Sequence, residues 1–581
     1  MILTLFGTLL LLLPFLVVIS SDNRPRTFTY VFAGSTALYL TLAIATQLFH
    51  IFFYGVILTL HIILLGFWLW YAYRKKWLSK PVRMRPHWYI IVLCLFALIF
   101  LTSIHFDYTG AVDSVSGLRY VKSSSYPYPF YSDEWVAVSL INFTITNHSL
   151  PLVNPLFENS SFPNFLFVFH SLFAYFFLIL NLTVLTHYVF FAILNTILIL
   201  IFAYWLLRLF NLSRFASFLS ALTLLFMTNS GNLPGLWNLL PYNVSILFLI
   251  IGMIGYLTES VWLYYIGLVV AFVVYPPALI FIVPLMLASV SKKDKDWCKK
   301  INKKYYYITG GVLVFALLIS EYFHLFSFVF RRKLDLGIVY YEPWNILPFI
   351  IIPFVCIGVW NVWKGKISII LWPMFVGLVL WVVSIFIPFV FIIEQNRVVV
   401  ITSVFLVLSG AFGIDTLIHY LKNKFGDVFD RQGILFLKVI LFIFYVLMAV
   451  FSSHFGMWHK LVLKSDIGGN HQFVPAPPVT RYLTPNDLSL FKDIHGQRFI
   501  APSWKGLVIG AATGNFPLDS KTSTISNVYL HYEDFVNAGC DEKQSLISKY
   551  RISYAYIAST TCKTFREIGR GSEGLVLYKL K

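Results

Sequence analysis

The sequence predicts an all-α polytopic membrane protein with a small α/β domain at its C-terminal end. Of its 581 residues, 58% are hydrophobic and only 12% are charged, whereas about a quarter of the residues of a soluble domain are charged. Apolar runs of membrane-spanning length follow one another as far as residue 452 and then shorten to strand length. The net charge of +18 lies largely in short loops between these runs, which indicates a membrane protein and not a nucleic-acid-binding one.

About 20 apolar residues make a transmembrane helix, and this length divides the chain into fourteen predicted spans. The basic loops 74–85, 292–304, 364–366 and 422–431 then fall on one side, which the positive-inside rule makes cytosolic. Both chain ends and the long loop 105–163 are therefore expected outside, as is the exceptional basic cluster 331–333. The predicted spans are residues 2–20, 28–49, 52–73, 88–105, 188–208, 214–229, 240–257, 261–275, 277–290, 306–326, 346–363, 367–392, 398–418 and 433–452.

Two regions depart from simple spans. Residues 164–185 are predicted to form a juxtamembrane or re-entrant helix, because a full span there would move Arg208 and Arg214 to the outer side. The short spans 261–275 and 277–290 meet at Tyr275-Pro276-Pro277, where two prolines end one helix and begin the next.

After residue 452 the character of the chain changes. The Gly- and Pro-rich stretch 466–485 is a predicted linker, and the rest is a predicted α/β domain outside the membrane. Cys540 and Cys562 share this domain, and the sequence leaves open whether they form a disulfide. The apolar runs 498–500, 507–509, 554–557 and 575–578 are predicted strands, and residues 541–550 are a predicted helix. The domain boundaries are therefore 1–87 for extra N-terminal helices, 88–452 for a membrane core and 453–581 for the C-terminal domain.

The adjacent acids Asp133 and Glu134 are the first candidates for chemistry. They lie between aromatic residues in the long outer loop. A carboxylate close to the lipid is costly unless it faces water or a cation, and a positioned carboxylate can act as a general base. The alternative is that both are solvated charges in a long loop.

Four motifs together resemble those of the GT-C glycosyltransferases, which include protein O-mannosyltransferases, aminoarabinose transferases and oligosaccharyltransferase subunits. The resemblance covers about residues 88–452 and an outer C-terminal domain. This chain departs from the family pattern at Ser171, Tyr275 and Val398, where Pro, a basic residue and Tyr are usual. The motifs are Tyr131-Ser132-Asp133-Glu134-Trp135, His170-Ser171-Leu172-Phe173, the helical pair around Tyr275-Pro276-Pro277, and Glu394-Gln395-Asn396-Arg397.

The resemblance implies a fold, a reaction and site residues. It implies a GT-C-like membrane core that transfers a sugar, with inversion, from a polyprenyl-phosphate donor to a glycan, lipid or protein. Asp133 would be the general base, with Glu134 beside it. Arg397 would hold the donor phosphate, with Arg331 and Arg332 as competitors for that role. The expected substrate-binding residues are His170, Glu342, Tyr341 and Tyr275.

Several alternatives stay open at this stage. The chain could be a transporter or flippase with half-length helices, or a non-catalytic subunit that keeps the fold. Two adjacent acids are not a full metal-ligand set, so no metal site is predicted, although a Mg²⁺ or Mn²⁺ requirement is left open. The expected location is the plasma membrane, with the site and the C-terminal domain on the extracytoplasmic side.

Overall fold

Helices make up most of the chain in the computed structural model. The predicted span 306–326 lies outside the residues that it describes. Those residues are 2–15, 24–74, 88–115, 117–158, 160–162, 164–227, 235–291, 331–332, 346–386, 389–390, 395–425, 431–454, 479, 481–520 and 528–580.

The membrane region contains five helices that are long and apolar enough to cross a bilayer, counted over the described residues. Most of the other helices there have 17 residues or fewer, which at 1.5 Å per residue is less than the roughly 30 Å of a hydrocarbon core. The prediction of fourteen spans is therefore not confirmed. The helices are α1 (Ile2–Leu12), α2 (Arg24–Leu48), α3 (Tyr54–Arg74), α4 (Trp88–Phe106), α5 (Ser132–Asn147), α6 (Phe167–Ile179), α7 (Val184–Leu209), α8 (Arg214–Leu225), α9 (Pro241–Leu257), α10 (Val261–Val274), α11 (Leu279–Ser291), α12 (Ile352–Lys364), α13 (Ser368–Phe386), α14 (Gln395–Phe425) and α15 (Arg431–His454). The five long ones are α2, α3, α4, α7 and α14.

The stretch 164–185 forms a separate short helix, α6, before the long helix α7. Most of α6 is buried, and it packs against both α2 and α5. The polar pair Gln47 and Ser171 joins α2 to α6, since the Ser171 hydroxyl donates to Gln47 Oε1 at 2.6 Å. A short buried helix before one long span agrees with the sequence prediction for this region.

Helices α9 and α10 pack very closely because glycines face each other. A Cβ on Gly267 would lie 2.5 Å from the Gly252 nitrogen, and one on Gly255 would lie 2.4 Å from the Tyr264 nitrogen. Beyond α10, the prolines of Tyr275-Pro276-Pro277 form a single 3-10 turn that leads into α11. The predicted junction between two short helices is confirmed, and it places Tyr275 at the end of α10.

The loop 105–163 is folded. It begins with an antiparallel hairpin of β1 (Tyr108–Ser114) and β2 (Gly117–Ser124). Helix α5 follows and carries Asp133 and Glu134 in its first turn. The loop ends with the two-residue strands β3 (Val153–Asn154) and β4 (Ser160–Ser161). The acid pair is therefore held by a buried helix instead of lying in an open loop.

The C-terminal domain is built on a five-stranded sheet, whose strands lie in the order β10 (Phe565–Arg570), β11 (Leu575–Leu580), β9 (Tyr554–Ala558), β7 (Arg498–Ile500) and β8 (Phe516–Pro517). Strand β7 lies parallel to β8 and β9, and β11 lies antiparallel to β9 and β10. Cys540 and Cys562 form a disulfide across 22 residues. The elements are α16 (Pro485–Leu490), β7 (Arg498–Ile500), α17 (Ser503–Thr513), β8 (Phe516–Pro517), α18 (Tyr532–Asn537), α19 (Cys540–Tyr550), β9 (Tyr554–Ala558), β10 (Phe565–Arg570) and β11 (Leu575–Leu580). A further short pair, β5 (Arg331–Arg332) and β6 (Phe389–Val390), lies outside this domain.

One predicted strand of this domain is wrong. Residues 507–509 lie in the middle of helix α17, whereas the other three predicted strands and the predicted helix are present. The flanking glycines explain the difference, because Gly506 and Gly510 let α17 approach the backbone that follows it: their Cβ atoms would lie 2.2 Å from Asp519 O and 3.0 Å from Asn515 O. Close packing outweighs the strand preference of a three-residue apolar run.

The C-terminal domain docks on the loop 105–163 through Tyr126. Its hydroxyl donates to Arg481 O at 2.8 Å and accepts from the Leu483 N–H at 3.2 Å, and its ring stacks on Tyr482 with centroids 5.3 Å apart. At a second point Arg498 forms a two-pronged ion pair with Glu158. The loop that leads to the acid pair is thus packed against the soluble domain.

A buried lysine organises the same edge of the C-terminal domain. The Lys505 side chain is 0% exposed and its Nζ lies 2.5 Å from Asp487 Oδ2 and 3.4 Å from Glu573 Oε2. Burial raises the pKa of Asp487, but Lys505 and hydrogen bonds from Tyr556 and Ser572 outweigh it, so the pKa lies below its usual value. Asp487 thus stabilises the fold above the pKa of an unfolded aspartate, about 3.9, and this contribution is lost as the pH falls through its lower folded pKa.

Replacing Lys505 by Met should destabilise the protein by about 3–5 kcal/mol, because two carboxylates would be left buried without their cation. Their burial would then raise both pKa values, so the variant should regain stability as the pH is lowered from 8 to 5. Thermal unfolding of the full chain in detergent measures both effects. The exposed Lys492→Met is the matched control, and equal melting temperatures for the two variants would contradict the assignment.

Candidate active site

The two acids of the first turn of α5 have different surroundings. The Asp133 side chain is 32% exposed, whereas Glu134 is 2% exposed. Successive residues of an α-helix point about 100° apart, so one carboxylate reaches the protein interior while its neighbour reaches an accessible face. Both benefit from the positive end of the α5 dipole.

Asp133 forms an ion pair with Arg397, which is 264 residues away in sequence. Arg397 Nη2 donates to Asp133 Oδ2 at 2.8 Å. Only 10% of the Arg397 side chain is exposed, and its guanidinium lies 4.7 Å from the centre of the Tyr242 ring. Arg397 belongs to the first turn of α14, so the positive ends of α5 and α14 meet at this point. The arrangement is a largely buried cation beside one partly exposed carboxylate.

Glu134 is held by four N–H donors. Its Oε2 accepts from the backbone of Phe130 and Tyr131 at 3.1 and 3.3 Å and from Asn238 Nδ2 at 2.9 Å. Its Oε1 accepts from the Leu239 N–H at 3.1 Å. Burial raises the pKa of Glu134 to about 7, and the four donors oppose that rise because they stabilise the ionised carboxylate. The side chain thereby joins the start of α5 to the segment before α9.

The segment that carries Asn238 and Leu239 is itself fixed from two sides. Asn243 Nδ2 donates to Gly235 O at 2.9 Å and to Asn238 O at 2.7 Å. From α7, the Tyr188 hydroxyl donates to Leu239 O at 2.5 Å. These bonds satisfy the backbone of a buried loop and hold the Glu134 donors in place.

The structure brings some of the predicted site residues together. Tyr275 packs on Tyr242 with ring centroids 6.1 Å apart, so it stands behind the ring that supports Arg397. His170 is buried at the start of α6, where its Nδ1 lies 3.2 Å from Asn164 Nδ2. Arg331 and Arg332 pair with Phe389–Val390 in strand β5. Tyr341 and Glu342 lie outside the described residues.

Three residues of the site escaped the sequence analysis. Tyr242, Asn238 and Tyr188 belong to no acidic, basic or metal-ligand pattern, and Asn238 meets Glu134 across 104 residues. The proline at the start of α9 signals a helix that begins near Tyr242. The sequence carries no signal for the contact with Glu134.

Three oxygens of the acid pair already accept hydrogen bonds. Asp133 points an oxygen at the Arg397 guanidinium, and both oxygens of Glu134 accept N–H bonds. A hard cation such as Mg²⁺ needs oxygen lone pairs directed at it, whereas N–H donors and a guanidinium repel it. Within the described residues, no group of three or more His, Cys, Asp or Glu side chains could hold a metal ion.

No protein-family model matches this chain, and no curated protein matches it by sequence. Among solved structures, it is similar to the oligosaccharyltransferase of Archaeoglobus fulgidus tethered to an acceptor peptide that contains an NVT sequon. It is similar also to the archaeal oligosaccharyltransferase AglB from Archaeoglobus fulgidus in complex with an inhibitory peptide and a dolichol-phosphate. For each the identity is 12%, the TM-score is 0.43, and the match covers 81% of this chain and 69% of the other. A likeness this low adds no argument about the reaction.

Replacing Glu134 by Gln should lower the free energy of unfolding by about 1–3 kcal/mol, because one amide cannot accept from donors on both of its ends. The amide NH₂ would face either Leu239 N–H or the group of three donors on the other side. Thermal unfolding in detergent tests this. The exposed Glu259→Gln is the control, and an equally stable Glu134 variant would contradict the hydrogen-bond assignment.

Proposed function

We propose that this chain is an integral membrane glycosyltransferase that moves a sugar from a polyprenyl-phosphate or -diphosphate carrier to an acceptor hydroxyl or amide on the extracytoplasmic side. The observation that carries the proposal is the contact of Asp133 with Arg397. These residues come from the first and the last motif of the GT-C resemblance. They meet where the N-termini of α5 and α14 come together. A base and a phosphate-binding cation are the two groups that such a transfer needs.

In the proposed reaction the acceptor oxygen or nitrogen attacks the anomeric carbon of the donor sugar. The new bond forms on the face opposite the phosphate, so the configuration inverts. The bond between the anomeric carbon and the phosphate oxygen breaks, and its electron pair stays with the carrier phosphate. The acceptor proton passes to Asp133, whose partly exposed carboxylate is the accessible member of the acid pair.

Arg397 would hold the leaving phosphate. A guanidinium has five N–H donors in a planar fork, so it can bind phosphate oxygens while it contacts Asp133. The Tyr242 ring on one side restricts its motion, and a pre-positioned cation stabilises charge that develops during transfer. The start of α14 adds backbone N–H groups and dipole charge of the same sign.

Glu134 has a supporting part in this proposal. Its four N–H contacts make it a positioning residue for α5, so Asp133 alone carries the base role. A divalent cation has no part at the acid pair, for the reasons of charge and lone-pair direction given above. Transfer should therefore continue in EDTA.

The transporter alternative has one observation in its favour. His61 is a buried ionisable residue within the long apolar helix α3, and its Nδ1 lies 2.5 Å from the Tyr175 hydroxyl of α6. A polar contact of this kind also serves to hold membrane helices together. The same transfer assay separates the two functions, because a transporter would release no sugar from its carrier.

Asp133→Asn should lower the rate of sugar transfer by about 10²–10⁴-fold, because the acceptor loses its base. The measurement is transfer of radiolabelled sugar from polyprenyl-phosphate donors by purified protein in detergent, with EDTA in one series. Asp107→Asn, an exposed aspartate of the same loop, should keep wild-type activity. An unchanged rate in the Asp133 variant would rule out the base assignment.

Arg397→Lys should lower kcat by about 10²–10³-fold, because the ammonium keeps the charge but loses the fork that meets phosphate oxygens. Arg26→Lys is the matched control, since Arg26 also lies over a tyrosine ring, Tyr30, at 5.8 Å. Polyprenyl phosphate without a sugar should also inhibit the Arg397→Lys variant less strongly than it inhibits wild type. Equal inhibition of wild type and Arg397→Lys would place the phosphate elsewhere.

A further inference from the structure

We infer that Asn238 is a positioning residue for Asp133: it holds Glu134 in the interior, and this fixes the direction in which Asp133 leaves the first turn of α5. The inference rests on the proposed function, because it assigns a means of placing the proposed base. Asn238 Nδ2 donates to Glu134 Oε2 at 2.9 Å, and it acts on Asp133 through that carboxylate.

Asn238 is the one side chain among the four donors to Glu134 in the described structure. The other three donors are backbone N–H groups of Phe130, Tyr131 and Leu239. Phe130 and Tyr131 belong to the same segment as Glu134 and cannot set its place relative to the rest of the protein. Asn238 and Leu239 supply the contacts from elsewhere in the chain.

The asparagine is well placed for this task because its own backbone is braced. Its carbonyl accepts from Asn243 Nδ2 at 2.7 Å, and the neighbouring Leu239 carbonyl accepts from Tyr188. Both partners lie on membrane-region helices, α9 and α7. These bonds thus fix the position of α5 relative to the helix bundle that carries Tyr242. Arg397 lies over the ring of that tyrosine.

The consequence for catalysis is geometric. Asp133 and Glu134 are consecutive residues on one helical turn, so a rotation of the turn that releases Glu134 also turns Asp133 away from Arg397. A displacement of about 1 Å can lower a rate about 10²-fold. Loss of the Asn238 donor should therefore lower kcat much more than it changes the KM for the donor, whose phosphate meets Arg397.

Exchange of the asparagine for aspartate gives a test with its own pH signature. The titratable and charged groups around Glu134 are Asp133 on its own helix, Tyr188 of α7 and Tyr242 of α9, with Arg397 beyond Asp133. An aspartate at position 238 would place a second carboxylate about 3 Å from Glu134, and two carboxylates this close share one proton. The shared proton replaces the missing N–H at low pH. At high pH both groups are charged and repel.

The experiment measures kcat and donor KM of Asn238→Ala and Asn238→Asp relative to wild type between pH 6 and 8.5. We expect Asn238→Ala to lose about tenfold or more in kcat at every pH, with donor KM within about twofold of wild type. The kcat of Asn238→Asp divided by the kcat of wild type should be near one at pH 6 and should fall about tenfold or more by pH 8.5. A ratio independent of pH would overturn the inference.

The matched controls are Asn361→Ala and Asn361→Asp. Asn361 also donates through Nδ2 to a side-chain oxygen, Thr416 Oγ1 at 2.8 Å. Thr416 lies 19 residues after Arg397 on α14, which is about 28 Å along the helix. Both control variants should show wild-type kinetics across the pH range.

A second measurement does not depend on activity. In a protein with Asp133→Cys, the rate at which the new thiol is alkylated depends on its accessibility and on the fraction present as thiolate beside Arg397. The rate measured in protein that keeps Asp133 is subtracted, because it comes from the native cysteines. Adding Asn238→Ala should change the corrected rate about threefold or more, and adding Asn361→Ala should not. If wild type transfers no sugar, the proposed function fails and the thiol rate alone decides the positioning inference. Equal thiol rates would overturn it whatever the activity.

Discussion

The arrangement of the site depends on one buried carboxylate. Glu134 accepts hydrogen bonds from two segments that are more than a hundred residues apart in sequence, and a buried charge without such partners would cost several kcal/mol. The bonds therefore fix α5 against the loop before α9. Asp133, one residue earlier, is carried to the accessible face as a result. Glu134 thus has a structural task, and in the proposed reaction its neighbour Asp133 is left for chemistry.

The cation that meets Asp133 is held by aromatic packing as much as by charge. Arg397 lies over Tyr242, which in turn packs on Tyr275. A guanidinium between a ring face and a carboxylate has few alternative positions. Arg397 also belongs to the first turn of α14, where the helix dipole is positive as well. The cost of placing positive charge at a helix N-terminus is offset by Asp133 and, in the proposed reaction, by the donor phosphate. The pair is suited to bind an anion and to accept a proton at adjacent points.

The C-terminal domain has a core of its own but shares its edge with the loop that carries the site. Tyr126 binds the backbone of the segment 481–483, and the same tyrosine exchanges hydrogen bonds with His105 at the end of α4. Lys505 and its two carboxylates stabilise the domain close to this contact. The soluble domain therefore contributes to the shape of the loop that precedes Asp133, which connects its folding to the order of the site.

The sequence by itself determined the features that depend on local composition. Long apolar runs require helices in a bilayer, the prolines after Tyr275 require a break between α10 and α11, and the acids and Arg397 were identified by residue type and order. The helical state of residues 507–509 and the disulfide were decided by packing, which composition does not specify. The contrast between the surroundings of Asp133 and Glu134 was also decided by tertiary structure. It depends on Asn238, Leu239 and Tyr242, whose contacts cross a hundred or more residues and leave no periodic or charge signal in the chain.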